Sequence, residues 1–262
     1  PAGGILKNLA EAASERFDGF LEASVARLVG KPVWSELKEN ARLASEKGGA
    51  LLILAQSLSR LAGELGEIEV HLIGHSAGAV MLGALLEPLR RYGVTLATCS
   101  LYAPACTLEF AFATFGSALR DGHLKPKTFS LDILSDERER ADRVTAYGKS
   151  LLYLISRGLE PDRSAPILGM HAVFDPEFDR KPVFHSREYS PNSSLLKWRD
   201  LWGGLPGLPQ PKIWSKAKVS DGESLIDVNH GCFDNSVEVV RATLERIRGG
   251  KLIRPVKSLK FG

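Results

Sequence analysis

Ser76 stands within Gly74-His75-Ser76-Ala77-Gly78, a G-x-S-x-G pattern, and is the first candidate for chemistry in this chain. A free hydroxyl is a poor nucleophile, so such a serine needs a base that can take its proton. Six histidines are available: His71, His75, His123, His171, His185 and His230. His71 and His171 fall in apolar runs that read as strands, His75 is the variable position of the motif, and His123 precedes a strand. His230 leads because it lies in a glycine-adjacent loop directly before the closing helix; His185 is second. Ser76 has a plainer reading as the cap of a helix, and His230 as a loop histidine bonded to backbone.

The motif needs a strand before it and a helix after it. Val70, Leu72 and Ile73 supply a short apolar, mostly branched run of strand length. Ala77, Ala79, Val80, Met81, Leu82, Ala84 and Leu85 read as the opening of a helix. A turn between the two holds the serine in a strained backbone conformation, and side chains at positions 74 and 78 are expected to clash. The serine oxygen then lies at the positive end of the helix. The backbone N–H of Ala77 is the expected donor to an oxyanion.

At this motif the sequence resembles the α/β-hydrolase superfamily. It also resembles a less characterised bacterial branch, through Trp34-Ser35-Glu36-Leu37-Lys38-Glu39-Asn40-Ala41 and through His230-Gly231-Cys232-Phe233-Asp234-Asn235. The resemblance runs from Trp34 to Arg248 and is sharp only at the elbow and the His230 segment. It implies a mostly parallel sheet with flanking helices and a catalytic order of serine, acid, histidine. The acid then belongs to the loop after the strand ending at Leu134, where Asp136 and Asp142 both stand. Asp142 is favoured because it resembles the acidic position of related hydrolases, with Asp136 as the alternative. The acid fixes the imidazole tautomer and stabilises the imidazolium. The resemblance also implies early strands, one of whose loops carries a second oxyanion donor. No strand is read before Glu67, so the fold is expected to lack those strands. The chain, which begins at Pro1, then reads as the later portion of a longer protein, or as one whose missing sheet edge is filled otherwise.

The composition is that of a soluble globular chain of one domain, with 44% hydrophobic and 25% charged residues. A net charge of +3 names no partner. Cys99, Cys106 and Cys232 are scattered and odd in number, which fits a reducing, cytoplasmic location better than a disulfide framework. No Cys/His cluster suggests a metal, no cofactor is implied, and no run approaches the length of a membrane span. The cations of the last residues, Lys251, Arg254, Lys257 and Lys260, read as a solvated tail.

In chain order, amphipathic helices are expected over Ile5 to Val29, Trp34 to Glu46 and Gly49 to Leu65, the last with Leu51, Leu54, Leu58, Leu61 and Leu65 on one face. Strands are expected over Val94 to Tyr102, Thr128 to Leu134 and Pro166 to Phe174. Helices are expected over Leu108 to Leu119, with Phe110, Phe112 and Phe115 facing the core or a cleft, and over Tyr147 to Leu159. Alternating strands and helices after residue 66 predict an α/β fold. Residues 175–228 lose periodicity and read either as a lid or as a surface excursion pinned by Trp198, Trp202 and Trp214. A closing helix follows, with Asn235 and Glu238 at capping-box spacing and a stripe of Val237, Val240, Leu244 and Ile247.

The expected organisation is a helical segment over 1–66 packing on the sheet, a catalytic core over 67–250 and a basic tail over 251–262. The expected chemistry is acyl transfer from an ester, thioester or lipid to Ser76 and then to water, by Ser76, His230 and Asp142. A small-molecule or lipid acyl substrate is implied, with no nucleic acid. The other reading is a catalytically weak, hydrolase-like module of a larger protein. An exposed edge at the elbow strand would allow self-association or docking of an upstream domain.

Overall fold

The computed structural model describes residues 30–143 and 147–259, together with Gly19. The helices expected between Ile5 and Val29 otherwise lie outside the described residues, as does Lys260.

Four parallel strands form the sheet in the order β1-β2-β3-β4: β1 Val70–His75, β2 Leu96–Tyr102, β3 Phe129–Leu134 and β4 Lys212–Trp214. Every residue of β3 is buried, and nearly every one of β2, as expected where helices cover both faces of a parallel sheet. β1 and β4 are partly exposed, and both lie at sheet edges among the described residues. β1 is also the first strand among them.

Helices α1 (Lys31–Ala44) and α2 (Ala50–Leu65) pack against α3 (Gly78–Arg91), the helix that follows Ser76. Trp34 Nε1 donates to the buried Glu160 at 2.7 Å, and Lys38 Nζ reaches the same carboxylate at 2.7 Å. This pins α1 to a π-turn at Ile155–Leu159. The leucine face assigned to α2 is rotated from expectation. Leu52 and Ala55 are buried, while Leu54, Leu61 and Leu65 are exposed. The helix is apolar on more than one face, so its period does not single out the buried one.

The fourth expected strand, over Pro166 to Phe174, does not form. One antiparallel bridge joins Ile167 to Thr107, and His171–Val173 is a 3-10 turn. The residues are buried, which accounts for the apolar run, but their N–H groups serve the end of β2: Leu168 donates to Cys106 O at 2.8 Å and Gly169 to Pro104 O at 2.9 Å. A short apolar run does not distinguish a strand from another buried segment. The fourth strand is instead β4, three residues long, inside the stretch that lost periodicity.

That stretch is pinned by its tryptophans, as the second of its two readings expected, and it has elements of its own. It carries α8 (Ser194–Gly204), whose Trp198 and Trp202 are buried, with Trp202 against Phe129 of β3. Trp214 of β4 is also buried, so the three tryptophans belong to the core. The expected helix over Leu108 to Leu119 breaks at Thr114 into α4 (Leu108–Ala113) and α5 (Phe115–Arg120). Phe115 is fully buried, and Phe110 and Phe112 pack on the core's margin. Between β3 and α8, the helix expected over Tyr147 to Leu159 is a single α-turn, α7 (Leu151–Leu154), running into the π-turn; α6 (Asp136–Ala141) precedes it.

The closing helix α9 (Val237–Arg248) is capped by Ser236, whose hydroxyl accepts from Val239 N–H, rather than by Asn235. Asn235 lies in the preceding 3-10 turn, and Glu238 binds Lys212 of β4 at 2.7 Å. The predicted stripe is displaced as well: Val239 and Thr243 are buried and Leu244 is exposed. The strand ends explain it. Thr243 Oγ1 meets Tyr102 OH at 2.6 Å, and Arg246 stands 3.5 Å from the buried Asp132, so this helix turns polar side chains inward to satisfy them. A small hairpin of β5 (Lys218–Ser220) and β6 (Leu225–Asp227) precedes it. The tail docks on that hairpin. Leu259 N–H donates to Asp221 O at 3.1 Å, and a Cβ on Gly222, at φ +104°, would lie 2.1 Å from Lys257 O. The cations Lys251, Arg254 and Lys257 remain exposed. No helix among the described residues is long and apolar enough to cross a membrane.

Candidate functional site

The carboxyl ends of β1, β2 and β3 lie side by side, the position at which open α/β sheets bind ligands. Ser76 follows β1 directly and adopts φ 55°, the left-handed region that a non-glycine residue enters only when the surroundings impose it. Ser76 N–H donates to Tyr102 O at 2.9 Å, and Ser76 O accepts from Ala105 N–H at 3.0 Å, so the turn is tied to the end of β2. Gly74 is closely packed, since a Cβ there would lie 2.7 Å from a terminal methyl of Leu82 of α3 and 3.2 Å from one of Leu101 of β2, which would have to shift. Gly78 departs from expectation, because a Cβ there would meet nothing within 4 Å. It opens α3 on the open side of the turn, where no neighbour crowds it.

The structure brings His230 to Ser76 across 154 residues of sequence, with Nε2 at 2.8 Å from Oγ. For Nε2 to accept the serine proton, the ring's own proton must sit on Nδ1. Nδ1 is shut off from solvent and has no hydrogen-bond partner among the described residues. Burial, together with the nearby His75, lowers the His230 pKa to about 4, so the imidazole is a neutral base at neutral pH.

Asp142 reaches His230 through the backbone: its Oδ2 accepts the His230 N–H at 2.8 Å. Asp136 is engaged elsewhere. Its carboxylate binds Arg140 Nε at 2.7 Å and accepts the hydroxyl of Tyr153, and its own N–H points to His171 Nδ1 at 3.4 Å. Of the two candidate acids, only Asp142 contacts His230. Close to both, Glu139 is fully buried beside the Ser150 hydroxyl; burial, with the charges of Asp142 and Asp136, raises its pKa to about 8.

The Ala77 N–H makes no hydrogen bond among the described residues and sits at the start of α3. His185 is spent as a cap, its Nδ1 accepting from Arg187 N–H at 3.2 Å. His71 Nδ1 pairs with Thr98 Oγ1 at 2.9 Å. The three cysteines are free and buried, and burial raises their pKa values, that of Cys106 to about 12, so they are inert as thiolates. Among the described residues no group of three or more His, Cys, Asp or Glu is placed to hold a metal ion.

Sequence reasoning missed one member of the site. His75, passed over as the variable position, places Nε2 at 2.8 Å from the His230 carbonyl oxygen. No periodicity or spacing signals a contact between residues 155 apart. In comparison with known proteins, the chain matches no family model, no curated protein and no solved structure.

Proposed function

We propose that this protein is a serine hydrolase of the α/β-hydrolase type, acting on a carboxylic ester, thioester or lipid acyl bond. One observation carries the reading: a serine held at φ 55° between a parallel strand and a helix, its Oγ 2.8 Å from a buried imidazole that is neutral at neutral pH. A helix-capping serine has no need of either feature.

In this mechanism His230 Nε2 takes the Ser76 proton as Oγ attacks the acyl carbon. The oxyanion that forms lies against the Ala77 N–H, at the positive end of α3. The imidazolium returns its proton to the leaving alkoxide or thiolate. Water, activated by the same nitrogen, then releases the acid from the acyl-enzyme. Asp142 is the acid of the set. With its Oδ2 on the His230 N–H, its other oxygen is the acceptor proposed for Nδ1–H, reached by a rotation of the carboxylate or the ring as the imidazolium develops. Catalytic hydrogen bonds are often loose before substrate binds and tighten in the complex.

The partnerless Nδ1 also favours a second reading, a hydrolase-like interaction module with little or no turnover. A fluorophosphonate probe separates the two. Wild-type protein labelled at Ser76, with labelling abolished in Ser76→Ala, supports the hydrolase. An unlabelled but folded protein supports the module, and labelling that survives the substitution moves the nucleophile elsewhere.

A further inference from the structure

We propose that His75 is a positioning residue for the base: its Nε2–H holds the His230 carbonyl and thereby fixes the aim of the His230 imidazole at Ser76. The proposal rests on the hydrolase reading above and names a residue that reading does not use.

His230 belongs to neither a strand nor a helix, so no ladder of backbone hydrogen bonds locates it. Both of its backbone polar groups are held by side chains instead. Asp142 Oδ2 takes the N–H at 2.8 Å, and His75 Nε2 meets the C=O at 2.8 Å. Around it the local bonds fall on its neighbours: Gly231 N–H to Asn229 Oδ1, Cys232 N–H to Asn229 O, and Asn235 Nδ2 to Gly231 O. The direction of the imidazole therefore follows from a clamp on either side of its Cα.

The chemistry of the clamp requires a donor at position 75. A carbonyl oxygen only accepts, so His75 must carry its proton on Nε2. The ring is otherwise packed among aromatics. Its centroid lies 5.3 Å from that of His230, 6.1 Å from Phe233 in an edge-on arrangement and 6.5 Å from Tyr102. A phenyl ring would fill that space and leave the carbonyl unpaired.

Position 75 is also rigid. It is the last residue of β1, paired in register with Tyr102 of β2, and it directly precedes the nucleophile. One residue's side chain thus ties the base to the strand that presents the serine, so the two reacting groups cannot drift apart independently. Sites held on strands by supporting hydrogen bonds keep the geometry that loops alone do not.

The test compares His75→Gln, whose amide nitrogen can reach the carbonyl, with His75→Phe, which fills the ring volume without a donor. Three quantities are measured on the full chain: thermal unfolding, the second-order rate of fluorophosphonate labelling at Ser76, and the His230 imidazole nitrogen NMR signals. With both variants folded, His75→Phe should label about tenfold to a hundredfold more slowly, the loss expected from a misplacement of about 1 Å. His75→Gln should stay within about threefold, since one neutral donor replaces another. On an ester substrate the Phe variant should lower kcat with KM held. The nitrogen signature of a hydrogen-bonded Nε2 should persist in His75→Gln and vanish in His75→Phe.

A Phe variant that labels as fast as wild type with unchanged signals overturns the proposal. So does equal loss in Phe and Gln. Should the Phe variant fail to fold, His75→Asn, whose amide stops short of the carbonyl, takes its place with the same expectations. If wild type is not labelled at all, the hydrolase reading fails, and the nitrogen signals alone decide whether His75 positions His230.

Discussion

Asp142→Asn is the perturbation that separates an anchor from a catalytic acid. Asp142 Oδ2 accepts the His230 backbone N–H at 2.8 Å, and an asparagine carbonyl oxygen can accept the same bond. Replacing a charged acceptor by a neutral one costs about 1 kcal/mol. If anchoring were its whole role, turnover would fall by about tenfold at most. In the proposed role as acceptor for Nδ1–H, Asp142 would also fix the tautomer that leaves Nε2 free to accept from Ser76. An asparagine can donate to Nδ1 and favour the wrong tautomer, and that loss is on the order of ten-thousandfold in the well-studied serine-protease triad. Such a loss corresponds to about 5 kcal/mol of transition-state stabilisation. The two roles therefore differ by about three decades, far beyond assay error. We expect Asp142→Asn to lower ester turnover by thousands-fold while thermal stability changes little. Asp136→Asn, whose contacts are Arg140 and Tyr153, should leave turnover within about tenfold and act on stability through that pair. A measured loss below about tenfold for Asp142→Asn, with stability intact, would refute the acid assignment and leave an anchor.

Gly74→Ala forces a Cβ to within 2.7 Å of Leu82 and should destabilise by about 1–3 kcal/mol, lowering Tm by roughly 2–4 °C per kcal/mol. Gly78→Ala meets nothing within 4 Å and should be neutral or stabilise α3 by up to about 1 kcal/mol, so calorimetry showing equal damage from both would mean the space over Gly78 is filled. Because the His230 pKa falls to about 4, kcat/KM should hold its value down to about pH 5, where an ordinary histidine would already be mostly protonated. The same shift lowers stability as pH falls from 6.5 to about 4, since there the unfolded chain binds a proton that the native His230 refuses, while Glu139, raised to about 8, acts in the opposite sense; the urea midpoint of His230→Gln should therefore rise relative to that of wild type as pH falls through this window, and parallel profiles would contradict it. At the exposed edge of β1, Ile73→Lys should reduce concentration-dependent association measured by light scattering; unchanged scattering would show that this edge is not the contact.

Sequence alone determined the elements with strong local signatures. The strand and helix around Ser76, the strands ending at Tyr102 and Leu134, and the helices near Trp34, Leu51 and Val237 all form close to their expected limits. Each is set by a few consecutive residues, whose period or apolar run survives whatever surrounds them. Which face of a helix is buried was not determined locally. α2 and α9 are rotated from their apparent stripes because the partners that receive them, α3 for one and Asp132 with Tyr102 for the other, come from distant parts of the chain. The run over 166–174 looked like a strand because it is buried, and only tertiary structure shows that its N–H groups serve the end of β2. β4 was invisible because three residues are too few to carry a period. At the site, residue types nominated Ser76, His230, Asp142 and Asp136. The fold selected among them, placing His230 on Ser76, Asp142 on the His230 backbone and Asp136 on Arg140. It also brought in His75, because a hydrogen bond between side chain and backbone across 155 residues leaves no trace in the spacing of either partner.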